Sequence, residues 1–121
     1  MEIHFKGTNY DLPPNVSEFA RGKIGGLKKH IKRGDEEARV YVELGKETEA
    51  HQSGRIWRAE INFDIKGERY RAVALEESIE VAIDRAVNEL GSELSRARER
   101  KQALARKGGA TIKSMLRGFS V

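Results

Sequence analysis

The chain has no cysteine among its 121 residues, so it has no disulfide framework, no thiolate metal site and no cysteine nucleophile. Aromatic residues make up only 7% of it. No apolar run approaches the roughly 18 residues that a membrane-spanning helix needs. The first six residues alternate in polarity like a strand and do not resemble a signal peptide. These absences favour a cytoplasmic protein without a membrane partner.

Groups that could carry out catalysis are also few. His4, His30 and His51 fall in three different predicted elements and lack metal-ligand spacing. No two carboxylates stand out as an acid–base pair, and no serine lies in a nucleophile-elbow motif. The Gly25-Gly26 pair lies inside a helical pattern and not in a phosphate-binding loop. The sequence therefore predicts a protein that is not an enzyme and that has no metal, no cofactor and no small-molecule substrate.

Charge is abundant, at 35% of the residues, and it is sorted along the chain. Residues 16–33 hold six basic residues and one acidic residue. Residues 34–83 hold seven basic and twelve acidic residues, and residues 84–121 hold nine basic and four acidic residues. The net charge of +4 is thus the balance of two basic segments and one acidic segment. A small domain with this distribution is suited to a polyanionic partner, and RNA is the first candidate.

Hydrophobic periodicity predicts two helices and four strands. In the first basic segment, residues 16–33, apolar residues recur every three or four positions, as on one face of an amphipathic helix. Alternating polarity predicts strands over residues 2–6, 40–44, 57–65 and 70–74, with a tight turn between the last two. The apolar positions of the first helix are Val16, Ala20, Ile24, Leu27 and Ile31.

Three glycines, Gly22, Gly25 and Gly26, fall within the first predicted helix. Each weakens a helix by up to about 1 kcal/mol relative to alanine. Two explanations remain open, a frayed helix or a close approach of the helix backbone to a neighbouring element or a partner.

The second helix is predicted to begin after Glu76, Glu77 and Ser78, whose acidic residues lie favourably at its positive end. Its apolar positions fade after Leu94, while a helix-forming composition continues to about Lys107. The far half is therefore expected to project beyond the sheet as a basic, solvated rod.

Gly108 and Gly109 are expected to end this helix. The chain is then divided into a domain at residues 1–107 and a C-terminal tail at residues 108–121. The tail is either a disordered terminus or a short amphipathic element that docks on a partner or on the sheet. Its apolar residues at helical spacing are Ile112, Met115, Leu116 and Phe119.

The predicted order of elements is β-α-β-β-β-α. A single four-stranded sheet with both helices packed on one face would bury every apolar position named above, which places the chain in the α+β class. Since the basic helices carry few aromatic residues, phosphate contact and shape reading of structured RNA are favoured over stacking on bases.

The α-β-β-β-α part of this order resembles the double-stranded-RNA-binding domain, although the last helix opens on acidic residues where that family has a lysine cluster. A closer resemblance is to the ribosome hibernation-promoting factor family, also called the sigma-54 modulation protein family. The segments that carry it are VSEFARGKIGGL at 16–27, VYVEL at 40–44, GERYRA at 67–72 and VAID at 81–84. The resemblance covers about residues 1–107 and is to the short form, without a C-terminal dimerisation domain.

Four positions depart from this family pattern. Ser78 and Glu80 stand where the family usually has aspartate and tyrosine. Glu89 stands where it usually has lysine, and Gly26 replaces a second lysine of the first helix. Each departure removes a candidate RNA contact, so the strength or the place of binding is expected to differ.

The resemblance implies a non-catalytic translation inhibitor. Its partner would be the small ribosomal subunit and its ribosomal RNA, in the cleft that messenger and transfer RNA occupy. Lys23 matches the family motif directly, and the other candidates rest on charge and position. The candidate RNA-binding residues are Lys23, Lys28, Lys29, Arg85, Arg96, Arg98, Arg100 and Lys101.

Two alternatives stay open from the sequence. In one, the chain is a protein–protein adaptor whose tail docks through its apolar residues, and the basic helices only keep it soluble. In the other, it is a general structured-RNA-binding module that acts away from the ribosome.

Overall fold

A computed structural model describes residues 1–31, 37–47 and 54–119, with the backbone alone for residues 109–119. The elements are β1 (Glu2–Thr8), α1 (Pro14–Gly25), a 3-10 helix (Gly26–His30), β2 (Arg39–Lys46), β3 (Trp57–Ile65), β4 (Glu68–Glu76) and α2 (Ile79–Phe119). His51 and the last two residues of the first basic segment, Lys32 and Arg33, lie outside the described residues.

The four strands form one mixed sheet in the order β1-β2-β3-β4. β1 pairs parallel to β2 because α1 and the 3-10 helix form the crossover between them. The other neighbours are antiparallel, and β3 and β4 are joined by the two-residue turn Lys66-Gly67. Both turn residues have positive φ, 50° and 77°, which is typical of the type I′ hairpin.

The core lies between the sheet and the helices, all of which pack on the same face. It contains the alternating apolar residues of the central strands, such as Val40 and Phe63, and the apolar positions of both helices, such as Ile24 and Leu90. The α+β prediction is therefore confirmed, because these periodicities can be buried together only when both helices cover one side of the sheet.

The first predicted helix is altered at its C-terminal end. The α-helix ends at Gly25, and residues 26–30 form a 3-10 helix, although Leu27 keeps its buried position. The glycine pair lowers α-helical propensity, and a tighter 3-10 turn is common where an α-helix ends. A Cβ placed at Gly22, Gly25 or Gly26 would meet nothing within 4 Å, so no neighbouring element of the described residues explains these glycines.

The predicted end of the second helix at Gly108 is wrong. α2 begins after Ser78, whose hydroxyl accepts a hydrogen bond from the backbone N–H of Val81 at 3.2 Å, and continues to Phe119. Two glycines cost helix stability but do not forbid a helix, and the residues before them are strong helix formers. The side chains of Ile112, Met115, Leu116 and Phe119 lie outside the described part, so the docking prediction for them stays a prediction.

Candidate nucleic-acid interface

α1 and the 3-10 helix lie alongside α2 and run in the same direction. Lys23 contacts Asp84 near one end, and Leu27 packs by Gly91 farther along. Between them is an open groove of about 630 Å³. Its lining residues are Lys23, Gly26, Leu27, Lys29, His30, Asp84, Val87, Asn88, Gly91, Ser92, Ser95 and Arg96.

Lys23 lies at one end of this groove. Its Nζ is 3.3 Å from Oδ1 of Asp84 and 5.6 Å from the ring centroid of Phe19. Both partners of the ion pair remain about half exposed, so the pair adds little to stability and stays available to a ligand.

The other end of the groove is lined by Lys29 and His30, with Arg98 close to His30 and Lys28 next to Lys29 in the chain. We call these four residues the His30 cluster. Among the described residues, none of the three cations has a carboxylate partner. Burial, followed by the positive charges of Lys29 and Arg98, lowers the pKa of His30 below its ordinary value. Within the described part of the chain, the cluster is therefore a positive surface without carboxylate partners, and its imidazole is neutral at pH 7.

Three of the candidate arginines are instead held by acidic residues. Arg85 Nη1 lies 2.5 Å from Glu76 and its Nε 3.1 Å from Glu89, and these two hydrogen bonds raise the pKa of Arg85. Arg96 and Arg100 both contact Glu93, at 3.0 and 3.5 Å. Of the three, Arg96 also lines the groove, whereas Arg85 and Arg100 do not.

Lys101 fixes α2 to the β3–β4 turn. Its Nζ lies 2.9 Å from Oε2 of Glu68, which also accepts a hydrogen bond from the hydroxyl of Tyr70. The bond to Glu68 raises the pKa of Lys101, and the bond from Lys101 is the main cause that lowers the pKa of Glu68. This pair marks where the described part of α2 leaves the sheet, since Leu104 is 67% exposed.

The opposite, outer face of the sheet carries a network of ion pairs that sequence analysis missed. Glu60 accepts hydrogen bonds from Arg71, Arg58 and Asn62, and the bond from Arg71 is the main cause that lowers its pKa to about 2. Asp64 binds Arg69 on the neighbouring strand at 2.6 and 2.8 Å. The only sequence signal for this network was that its basic and acidic residues occupy alternate positions of β3 and β4, which place them on the same face of the sheet.

The two faces therefore differ in how their charges are compensated. On the outer face, Arg58, Arg69 and Arg71 are each bound to a carboxylate. On the helix face, Lys23, Lys29 and Arg96 line one groove, and Arg98 lies beside His30 at its end. Lys28 is exposed next to Lys29 in the chain, whereas Arg85, Arg100 and Lys101 do not line the groove. A polyanion would displace fewer internal partners on the helix face.

The groove is built for electrostatic and hydrogen-bonding contact more than for chemistry. Within the described ranges, no three histidine, aspartate or glutamate side chains cluster so as to hold a metal ion. None of the helices described here is both long and apolar enough to cross a membrane.

A protein-family model described as "Sigma 54 modulation protein / S30EA ribosomal protein" matches residues 3–102. The solved N-terminal domain of Protein Y from Thermus thermophilus has a TM-score of 0.66 and 25% identity, covering 79% of this chain and 98% of that one. A ribosomal subunit interface protein from Coxiella burnetii has a TM-score of 0.65 and 17% identity, covering 82% and 99%, a likeness of fold alone. No curated protein gives a significant match.

Proposed function

Because this chain belongs to the sigma 54 modulation protein / S30EA ribosomal protein family, whose members are ribosome-associated factors and not enzymes, we propose that it is a hibernation factor that binds the small ribosomal subunit. Its helix face contacts ribosomal RNA in the cleft that messenger and transfer RNA occupy. It inhibits translation by occupying that cleft, without a catalytic step.

The observation that carries this proposal is the His30 cluster. Its three cations have no acidic partner among the described residues, and one of them, Lys29, lines the same groove as Lys23 and Arg96. Cations without internal partners can neutralise phosphates at little cost, because no existing ion pair has to be broken.

The departures from the family pattern change the face but do not remove it. Glu89 binds Arg85 and thereby removes one cation from the outer side of α2. Glu80 is exposed and lies near Tyr10. Burial raises the pKa of Tyr10, and the negative charge of Glu80 raises it further. Neither acidic residue lines the groove, so binding is concentrated on the groove and the His30 cluster.

The test is sedimentation of the purified protein with small ribosomal subunits at about 50 and 500 mM salt, since binding by phosphate neutralisation weakens steeply as salt rises. The wild type is expected to bind saturably, near one to one, at the lower salt. The triple variant Lys28→Gln, Lys29→Gln, Arg98→Gln is expected to bind more weakly, with a salt dependence smaller by up to about three counterions.

A matched control removes the same amount of charge from the outer sheet face. Lys6→Gln, Arg39→Gln, Arg69→Gln changes the net charge equally but leaves the helix face intact. Retained binding by this control, with loss by the first variant, supports the helix face as the contact surface. Equal loss in both variants, or no binding of the wild type at low salt, contradicts the proposal.

A second candidate function is favoured by the length of α2. The helix continues to Phe119, well beyond the Lys101–Glu68 contact, and Leu104 is exposed on it. A protein–protein adaptor would dock this projecting segment on a partner. For an adaptor, deleting residues 108–121 would abolish the adaptor function and spare ribosome binding. For a hibernation factor, both ribosome binding and the inhibition of translation are expected to survive the deletion.

A further inference from the structure

We propose that the groove between α1 and α2 binds a single strand of RNA a few nucleotides long, with phosphates at its two ends and ribose hydroxyls along its floor. This inference rests on the proposed ribosome binding and specifies the form of RNA that the helix face takes. The element recognised is then a loop, bulge or unpaired strand and not a duplex.

The dimensions of the groove favour a single strand. Asp84 and Ser95 line it about three turns apart on α2, which corresponds to about 16 Å along the helix axis. The two helices contact each other through Lys23 and Asp84 and pack closely where Leu27 lies near Gly91, so the space of about 630 Å³ follows the seam between them. A strand of two or three nucleotides can lie along it, whereas a double helix can only rest on its rim.

The cations are placed at the ends of the groove. Lys23 is at the Asp84 end, and Lys29 and Arg96 are at the end near Ser95, with Lys28 and Arg98 next to them. Lysine and arginine are the usual partners of phosphate groups. Two separated positive positions fit two phosphates of one chain better than a single small anion.

The floor between these ends carries no positive charge, and it combines the apolar side chains of Leu27 and Val87 with polar groups. Asn88, Ser92 and Ser95 offer an amide and two hydroxyls along α2, while Gly26 and Gly91 add no side chain. A Cβ at Gly91 would lie 3.6 Å from Leu27 and 3.7 Å from His30, so the glycine keeps the floor open without being required by packing. Such a surface suits sugars, which carry hydroxyls and no charge.

Asp84 is the residue that distinguishes RNA from DNA in this arrangement. A carboxylate repels phosphate, but it accepts hydrogen bonds from ribose hydroxyls, and the 2′-hydroxyl is the group by which proteins tell RNA from DNA. Its ion pair with Lys23 places this acceptor beside a phosphate-binding cation at 3.3 Å. The pair therefore matches one ribonucleotide unit, with its sugar hydroxyl at Asp84 and its phosphate at Lys23.

The test is fluorescence anisotropy of the full chain with three labelled probes: hexauridylate, hexadeoxyuridylate and a 12-base-pair RNA duplex. The single-stranded RNA is expected to bind about tenfold more tightly than its deoxy counterpart, since each lost hydrogen bond to a charged acceptor weakens binding several-fold. It is also expected to bind more tightly than the duplex.

A variant that fills the groove without changing charge separates the groove from general electrostatics. Ser95→Tyr places a bulky side chain in the floor and is expected to reduce hexauridylate binding at least about tenfold. Val81→Tyr, at a position on α2 that is 51% exposed and does not line the groove, is the matched control and is expected to bind as the wild type. Circular dichroism checks folding, and Ser92→Tyr, at an exposed lining position, replaces Ser95→Tyr if that variant does not fold.

Equal binding of RNA and deoxy probes, tighter binding of the duplex, or unchanged binding by the filled variants overturns this inference. Sedimentation of the same variants with small subunits separates it from the proposed function. Wild-type protein that binds subunits but not hexauridylate contradicts the groove proposal alone. Protein that binds hexauridylate through the groove but no subunit contradicts the ribosome proposal alone.

Discussion

Lys23 of α1 and Asp84 of α2 form an ion pair, 3.3 Å between Nζ and Oδ1, that joins the two helices at one end of the groove. The two residues are 61 positions apart in the chain, and both fall in segments that carry the family resemblance. The pair is half exposed, so its role is to orient two groups at a binding surface more than to hold the helices together.

Asp84→Asn separates these roles. We expect the free energy of unfolding to change by less than about 1 kcal/mol, because exposed ion pairs contribute little. The variant is expected to bind hexadeoxyuridylate more tightly than the wild type does, because a negative charge has been removed. The ratio of RNA to deoxy affinity is expected to fall, because the acceptor for the 2′-hydroxyl has been weakened. An unchanged ratio in anisotropy titrations would contradict the role given to Asp84.

Two glycines are expected to respond to alanine with opposite signs. A Cβ at Gly45 would collide with the backbone carbonyl of Thr8 on β1, so Gly45→Ala must push apart the parallel β1–β2 pair. We expect a loss of roughly 2–4 kcal/mol in unfolding free energy, measured by urea denaturation. Gly22→Ala meets open space in a helix and is expected to stabilise the protein by about 0.5–1 kcal/mol. Destabilisation by Gly22→Ala would show that this helix position has an unrecognised constraint.

Local patterns predicted most of the fold. The alternation of Val40, Val42 and Leu44 placed β2 correctly, and the Lys66-Gly67 turn was predicted between strands that do pair. The resemblance drawn from short motifs is confirmed by the family match over residues 3–102. These features depend on neighbours in sequence, where periodicity and turn chemistry are directly visible.

The errors arose where backbone propensity does not decide the outcome. At the Gly25-Gly26 pair the α-helix ends and a 3-10 helix follows, with Leu27 still in the core, whereas Gly108 did not end α2. A glycine lowers helix propensity by about 1 kcal/mol, which helix-forming neighbours can offset. The same residue type therefore had different consequences at the two sites.

Which cations are compensated could not be predicted, because the partners are distant in sequence. Lys101 binds Glu68, 33 residues away, whereas Arg98, three residues before it, has no carboxylate partner among the described residues. Charge counting treated both as equal candidates. The difference depends on where α2 crosses the β3–β4 turn, which only the three-dimensional arrangement shows.

Burial along α2 predicts a sharp contrast between two leucines. Leu90 is fully buried against the sheet, while Leu104 is 67% exposed beyond it. Leu90→Ala is expected to lower the unfolding free energy by about 3–4 kcal/mol, through lost apolar contact and the cavity that remains. Leu104→Ala, the same substitution on the same helix, is expected to change it by less than about 0.5 kcal/mol. A large effect of Leu104→Ala in denaturant titrations would mean that the projecting segment packs on another surface.

The outer sheet face predicts an acid-dependent stability. Glu60 has a side chain only 15% exposed and a pKa of about 2 in the folded state, below the ordinary 4.5 that applies when the chain is unfolded. Its stabilising contribution is therefore complete above about pH 4.5 and is lost as the pH falls towards 2. We expect Glu60→Gln to lower stability by about 2 kcal/mol at pH 7 and to flatten the loss between pH 4.5 and 2.5. Parallel pH profiles for wild type and variant would contradict this assignment.

The His30 cluster predicts an RNA affinity that increases with acidity. Burial and the neighbouring charges of Lys29 and Arg98 lower the pKa of His30, so the imidazole is neutral at pH 7.5 and takes up a proton only as the pH falls below its ordinary range. Protonation adds a positive charge at the end of the groove, and a bound phosphate favours that charged form. Hexauridylate is therefore expected to bind several-fold more tightly at pH 5.5 than at pH 7.5. His30→Gln is expected to remove most of this difference, because glutamine does not titrate. His4→Gln, on the outer face, is the matched control. A pH dependence that survives His30→Gln but is lost in His4→Gln would contradict the role given to His30, because it would place the titrating group on the outer face of the sheet.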